Sequence, residues 1–418
     1  MKVLVVGKGG REHAIVTALA ESPGEVEIYS WPGSDAIFER AKAFQPVDDS
    51  VAALVECMER EGIDLCVAGE ESYLVKDEGL ANACERAGIR CWGPPKEAAQ
   101  LEASKEFAKA FMIRHGIPTG GYAVADTIEE ARAAIAGRYP TVLKFDGLAA
   151  GKGVAVCPDE ASAGAFLEEV LVERRFGEGR LLVEEFLEGP EISIFASVVG
   201  RDYQILAPAR DYKRIFDGDE GPNTGGMGAV SSLEMLDGTL LGEIETTIVR
   251  PTVEGLLRDG LPYTGFLYFG IMLTAEGSKI LEYNCRFGDP EAEAVLPMLC
   301  GDFARYVYEG AGGDLCPERI SFAPGWSVCV VSASAGYPES ARSGDRIAGI
   351  ELVEEARVYH AGTRRGPDGA YATDGGRVLV VAAQGATREE AVAKAYRESD
   401  KITFDGRQRR GDIGTRHF

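Results

Sequence analysis

Short apolar runs alternate with helical patterns over residues 1–95, and this constrains the fold more than anything else in the chain. Lys2–Val6, Val26–Tyr29, Leu65–Ala68 and Ile89–Trp92 read as strands, with helices at Arg11–Ala20, Ser50–Glu61 and Asp77–Ala87 between them. Strands joined through helices pair in parallel, so the pattern predicts a parallel sheet covered by helices on both faces. Gly93-Pro94-Pro95 breaks the pattern and marks a first boundary. Further on, strands are expected at Thr141–Phe145, Gly153–Cys157, Arg180–Phe186 and Ile192–Val199, and a long helix at about 237–258. A hairpin of Gly265–Thr274 with Lys279–Asn284 follows, then a last unit that begins at Trp326–Ser332.

A length of 418 residues calls for two to four domains, and 45% hydrophobic with 27% charged residues is the balance of a globular protein. The net charge of −23 opposes nucleic acid and anionic membranes at long range, so any phosphate must be met by a local basic pocket. Nine cysteines, without a Cys-x-x-Cys pair, read as free and mostly core thiols of a reducing cytoplasm. With only four histidines, a thiolate or imidazole zinc site is not expected. The chain starts directly on a strand and has no apolar run of membrane-spanning length, which points to the cytoplasm.

Five segments carry chemistry. Gly7-Lys8-Gly9-Gly10-Arg11-Glu12-His13 joins the first strand to the first helix, where glycine N–H groups and a helix N-terminus suit an anion. A dinucleotide fingerprint needs glycine where Glu12 stands, and the second strand ends in Tyr29-Ser30 without a ribose-binding acid, so a nicotinamide site is disfavoured. A ligand-free turn stays open there, and His13 reads as a packing or capping residue. The stretch from Lys144 to Val154 is a glycine-rich hairpin with two lysines, not a P-loop, and its backbone can fold over nucleotide phosphates; an ordinary β-turn is the alternative. The stretch from Val183 to Glu191 offers backbone groups to an adenine edge and an acid to ribose hydroxyls. Asp211-Tyr212-Lys213-Arg214 precedes a glycine-rich run, Gly221 to Ala229, read as a mobile loop able to close on substrate. Leu281 to Glu291 is the most specific. On a strand Glu282 and Asn284 share one face, and their hard oxygens suit Mg²⁺. Arg286 continues that face, where it can hold a carboxylate by two parallel bonds or serve a structural salt bridge.

In this order and spacing the segments resemble the ATP-grasp superfamily, and more narrowly its phosphoribosylamine-glycine ligase family. The matching stretches are GGREH, LEASKEFAKAFM, LKFDGLAAGKGV, VEEFLEG, DYKR with GPNTGGMGA, TGFLYFGIM and EYNCRFGDPE, joined later by those at His360, Asp374 and Asp412, so that essentially the whole chain is covered. The resemblance implies an α/β protein: a Rossmann-like N-terminal domain (1–100), a central two-part ATP-grasp (101–320, with a lid at about 120–190) and a small α+β C-terminal domain (321–418). It implies that Lys105, Lys144 and Lys152 surround the phosphates of ATP, that Glu184, Glu185, Phe186 and Leu187 form the adenine side, and that Glu191 meets the ribose. Glu282 and Asn284 would hold Mg²⁺ or Mn²⁺. Asp211, Lys213 and Arg286 would carry catalysis, Asp211 and Arg286 bracketing glycine by its ammonium and carboxylate. Gly9, Gly10, Arg11 and Glu12 would lie near 5-phosphoribosylamine, with Glu71, Asn223, Thr224, Gly225, Gly226, Gly288 and Asp289 completing the substrate contacts.

The implied reaction runs through glycyl phosphate and ADP to glycinamide ribonucleotide in purine biosynthesis. The implied partners are the small-molecule substrates alone, with no nucleic acid or membrane, and the chain a monomer or weak dimer. Two positions depart from the family pattern. Gly69 to Val75 lacks both prolines of the usual Gly-Pro-Glu-x-Pro-Leu-Val, though Glu71 is kept, and Lys8 replaces a common asparagine. An ATP-grasp ligase for another acid or amine, and a non-catalytic nucleotide-binding relic, are the competing readings.

Overall fold

The structure, a computed structural model, describes residues 1–149 and 153–416. Lys152 therefore lies outside the described residues. The N-terminal alternation folds into a five-stranded, all-parallel sheet in the spatial order Lys42–Ala43, Glu27–Pro32, Lys2–Gly7, Leu65–Ala68, Arg90–Trp92. Its central strands are apolar on both faces because helices such as Gly10–Ala20 and Val51–Glu61 cover them. Ser50 caps the second of these helices, accepting the Ala53 N–H at 3.1 Å. The strand order reverses between Lys2–Gly7 and Leu65–Ala68. That reversal opens a crevice at their carboxyl ends, where the segments after Gly7 and Ala68 emerge side by side.

A second unit is a four-stranded antiparallel sheet, in the order Tyr122–Ala125, Leu181–Glu185, Thr141–Phe145, Val154–Cys157, under helices Ile128–Ile135 and Glu160–Leu171. It encloses a small core of its own around Leu143, Phe145, Leu167 and Leu181.

The largest element is a nine-stranded antiparallel sheet. The expected hairpin forms its edge as Thr264–Thr274 with Gly277–Asn284. Glu191–Val199, Ala209–Asp211 and Gly228–Ser231 follow, Trp326–Ala333, Arg377–Gly385 and Arg357–His360 continue the same sheet, and Asp202–Ile205 pairs with Glu191–Val199 as its ninth strand. The last unit is thus fused to the middle one through the pairing of Gly228–Ser231 with Trp326–Ala333.

The stretch near 237–258 is helical but not uniform. Gly238–Ile244 passes through a wide π turn, Glu245–Val249, into Arg250–Arg258. Pro251 near the start of the last segment has no N–H to give the preceding turn, which accounts for the widening there. The glycine-rich run read as a mobile loop is in part regular structure: Glu220–Asn223 pairs with Arg214–Phe216. No helix among the described residues is long and apolar enough to cross a membrane.

Candidate active site

The three sheets converge on a cavity of about 630 Å³. It gathers the cations Lys105, Lys109, Lys144, Lys213, Arg11 and Arg286, interleaved with carboxylates such as Glu71, Glu102, Glu184 and Glu282, so that the lining is densely charged with both signs. Helix Lys105–Arg114 brings Lys105 and Lys109, one turn apart on one face, to its inner wall. Lys109 Nζ lies 2.9 Å from Glu184 Oε2 and Lys144 Nζ 3.0 Å from the same oxygen, all three side chains being buried. Lys109 also donates to Thr119 Oγ1 (2.9 Å), Lys144 to the Leu281 carbonyl (3.0 Å) and Lys105 to the Gly147 carbonyl (2.9 Å). Burial pushes the Lys105 and Lys109 ammonium groups below their ordinary values, against the pull of Glu282 and Glu184 respectively. Glu184 thus serves the lysines with its side chain, while Glu185, Phe186 and Leu187 continue along the cavity wall.

Glu282 and Asn284 stand at the end of the Gly277–Asn284 strand, and both line the cavity. Burial raises the Glu282 carboxyl, but Lys213, Lys144 and Lys105 outweigh it and hold the group below its ordinary value. The Asn284 amide is satisfied when its nitrogen donates to Tyr283 O (3.1 Å) and Glu102 Oε1 (3.0 Å), with its oxygen turned to the opposite side. A carboxylate and an amide oxygen side by side fit Mg²⁺. Glu191 is engaged by Lys213 in an ion pair, and Lys213 is 3.8 Å from Glu282.

Deeper in, the Asp211 carboxyl has Oδ1 buried without a hydrogen-bond partner. Burial and the neighbouring Glu291 push it well above its ordinary value, against Lys213. Gly226 lies against it at φ +107°, where a Cβ would come within 2.6 Å of Asp211 Oδ1 and collide with Pro290. The loop is fastened from the C-terminal unit. Tyr337 accepts the Gly225 N–H at 2.9 Å, Arg377 donates to the carbonyls of Gly225 and Asp289 (2.8 Å to the latter), and its other nitrogen meets Asp289 Oδ1 at 3.0 Å.

At the far end Arg286 has every nitrogen engaged. Nε reaches Glu71 at 3.1 Å, Nη2 reaches Glu102 at 2.8 Å, and Nη1 donates to the Phe287 carbonyl at 3.1 Å. Arg11 adds a second contact to Glu71 (3.5 Å) and also holds the Phe287 carbonyl (3.2 Å). Burial raises the Glu71 carboxyl, but Arg286 and Arg11 overcome it and bring it down to about 2. Glu102 is different: burial pushes it up to about 7, Arg286 opposing and Glu71 adding to the rise. The two ion pairs on Glu71, and the N–H groups of Gly69 and Glu70 donating to Val6 O (2.9 and 3.1 Å), hold the loop that lacks the family's prolines.

Asn223, Thr224, Gly225, Gly288 and Asp289 also line the cavity. Gly9, Gly10, Glu12 and Gly226 do not. Glu12 folds back on the Gly9 N–H and on Arg11 Nε, both at 2.6 Å, and Gly10 abuts Glu293. Lys8 is exposed. His13 accepts the His360 N–H at 3.0 Å and packs the first helix against strand Arg357–His360, the packing role expected of it. Among the members of the site with no place among the candidate residues read from sequence are Lys109, Glu102, Glu291 and Arg377. A lysine four residues after Lys105 on one helical face was the available signal for the first. The others lie inside stretches that carry the family resemblance, but their particular roles come from long-range contacts.

Three domain families match consecutively: the N domain of phosphoribosylglycinamide synthetase over residues 1–102, its ATP-grasp (A) domain over 103–292 and its C domain over 327–416. A phosphoribosylamine-glycine ligase of Caldanaerobacter subterraneus subsp. tengcongensis is 43% identical over 416 residues, covering 99% of each chain. The crystal structure of a phosphoribosylamine-glycine ligase from Thermotoga maritima superposes with a TM-score of 0.85 at 36% identity, over 99% of this chain and 100% of that one. At fold level alone, the biotin carboxylase domain of Hydrogenobacter thermophilus 2-oxoglutarate carboxylase, solved with MgADP and bicarbonate, has a TM-score of 0.72 at 19% identity, over 98% of this chain and 91% of that one. With all three domains matched in order and a relative this similar along its whole length, the chain belongs to the phosphoribosylglycinamide synthetase family.

Proposed function

We propose that the chain joins glycine to 5-phosphoribosylamine at the expense of ATP, giving glycinamide ribonucleotide, ADP and phosphate in purine biosynthesis. What carries the reading is one cavity that combines buried lysines, an oxygen pair suited to Mg²⁺ and an Asp211–Arg286 pair, in a chain of this family. Lys105, Lys109 and Lys144 receive the phosphates, and the strand end Glu184 to Leu187 receives the adenine. Glu191 reaches ribose only by sharing Lys213, and Arg286 reaches the carboxylate of glycine only by sharing its donors with Glu71 and Glu102. Mg²⁺ held by Glu282 and Asn284 supplies charge neutralisation of the phosphates. Glycine's carboxylate oxygen attacks the γ-phosphorus and ADP leaves. The amine of phosphoribosylamine, gathered near Arg11 and Glu71, then attacks the acyl carbon and phosphate departs.

The protein's part is placement and charge stabilisation. Fixed cations around the transferring group act in a site where water is scarce, and holding reactants in line removes roughly 7–11 kcal/mol of barrier. ADP release tests the reading directly, with Mg²⁺, ATP, glycine and phosphoribosylamine combined or omitted singly. Release that requires both co-substrates supports it. Release unaffected by omitting glycine assigns another acid, and ATP binding without turnover under every combination indicates a relic.

A further inference from the structure

Cys66, Cys84 and Cys91 are separated in sequence, yet their Sγ atoms all lie within 4.8 Å of one another. The topology of the N-terminal unit puts them there. Leu65–Ala68 and Arg90–Trp92 are adjacent parallel strands with Cys66 directly beside Cys91, so both side chains leave the same face of the sheet. Helix Leu80–Arg86, which connects the two strands, places Cys84 against that face. Cys66 and Cys84 are fully buried among apolar side chains, and Cys91, on the edge strand, is the least enclosed of the three residues although its thiol belongs to the same buried cluster. Among the described residues no imidazole or carboxylate joins the group, and none of the three thiols lines the active-site cavity.

We infer that this triad is a binding site for a trivalent, thiophilic metalloid, with arsenic(III) as its representative. Ligand number and charge select that class. Sulfur donors favour soft acceptors. Structural zinc takes four ligands, and three thiolates on a dication would leave a net negative charge in an apolar core. A monovalent cation would leave more. A trivalent centre bound to three thiolates is neutral, and burying it carries no charge penalty. Arsenous acid, As(OH)₃, exchanges its three As–O bonds for three As–S bonds, and each thiol proton leaves with a hydroxide as water. No oxidation state changes, so no oxidant is needed.

The test uses the full chain, reduced and freed of small thiols, titrated with arsenite, then alkylated and mapped by mass spectrometry. One arsenic bound per chain, with Cys66, Cys84 and Cys91 protected together on alkylation in urea relative to an arsenite-free control in which all three react, while the exposed Cys300 is alkylated in both, is the expected result. Cys84→Ser and Cys91→Ser should each weaken binding by about 10²-fold or more, because a linked donor is lost, and excess Zn²⁺ should not displace the arsenic. Undiminished affinity in both variants, protection falling on other cysteines, or displacement by Zn²⁺ would overturn the assignment. Should a variant not fold, the protection pattern of the unaltered chain decides alone.

Discussion

Arg286 sits between two carboxylates that differ in kind. Glu71, brought down to about 2, stays ionised throughout the useful pH range, whereas Glu102, pushed up to about 7, titrates within it. Protonation of Glu102 releases one edge of the guanidinium, so the apparent affinity for glycine should improve as pH falls through about 7. Glu102→Gln should abolish that dependence, and a KM for glycine measured from pH 6 to 8 in the ADP-release assay decides. Lys109 makes a different prediction. Glu184 already has Oε1 buried without a partner, so Lys109→Met leaves a buried carboxylate with one cation. Urea unfolding should show a loss of about 3–5 kcal/mol. At this scale the sequence displayed residues whose type and spacing speak alone, such as Glu282 and Asn284 two apart on one strand. It concealed those whose meaning is a distant partner. Glu102 acquires its role from Arg286 and the Cys285 N–H (2.6 Å), far along the chain.

Among the elements, local periodicity served well where one chain segment decides its own state. Leu65–Ala68 and the Gly277–Asn284 hairpin arm are examples. The glycine run after Gly221 showed a loop through its composition, which does not report the bonds with Tyr337 and Arg377 that fasten it in this structure. Gly226→Ala should therefore cost about 1–3 kcal/mol of stability through its positive φ and disturb Asp211; a lowered kcat/KM for glycine, with ATP binding retained, is the expected signature. The contact of the first helix with Arg357–His360 has its own pH dependence. Burial, helped by His360, depresses His13 to about 3, so the unfolded chain takes up the proton first as pH falls below 6.5. The contribution of His13 is full above 6.5 and lost as pH falls toward 3, at about 1.4 kcal/mol per unit of depression. His13→Gln should flatten the slope of stability against pH in that window, read by thermal melts.

For the whole molecule, the decisive feature is the nine-stranded sheet shared by the middle and last units. A last unit beginning near Trp326 was legible in sequence, but its place in the shared sheet was not, since a buried strand does not announce which neighbour it will choose. A chain ending at residue 320 would leave Gly228–Ser231 as a bare edge and lose the Arg377 and Tyr337 ties. It should aggregate or swap strands, visible as high-mass species in size-exclusion chromatography, not as a smaller monomer.

The same arrangement sets a timetable for the molecule's birth on the ribosome. The parallel sheet uses residues no later than Trp92 and can close while the rest is still being made, as N-terminal units generally do. The shared sheet must hold a half-built surface open until Arg377–Gly385 has left the exit tunnel. The nascent chain therefore carries its inherited vulnerability in the middle, and the catalytic chamber, which waits for Arg377, is the last room to be finished.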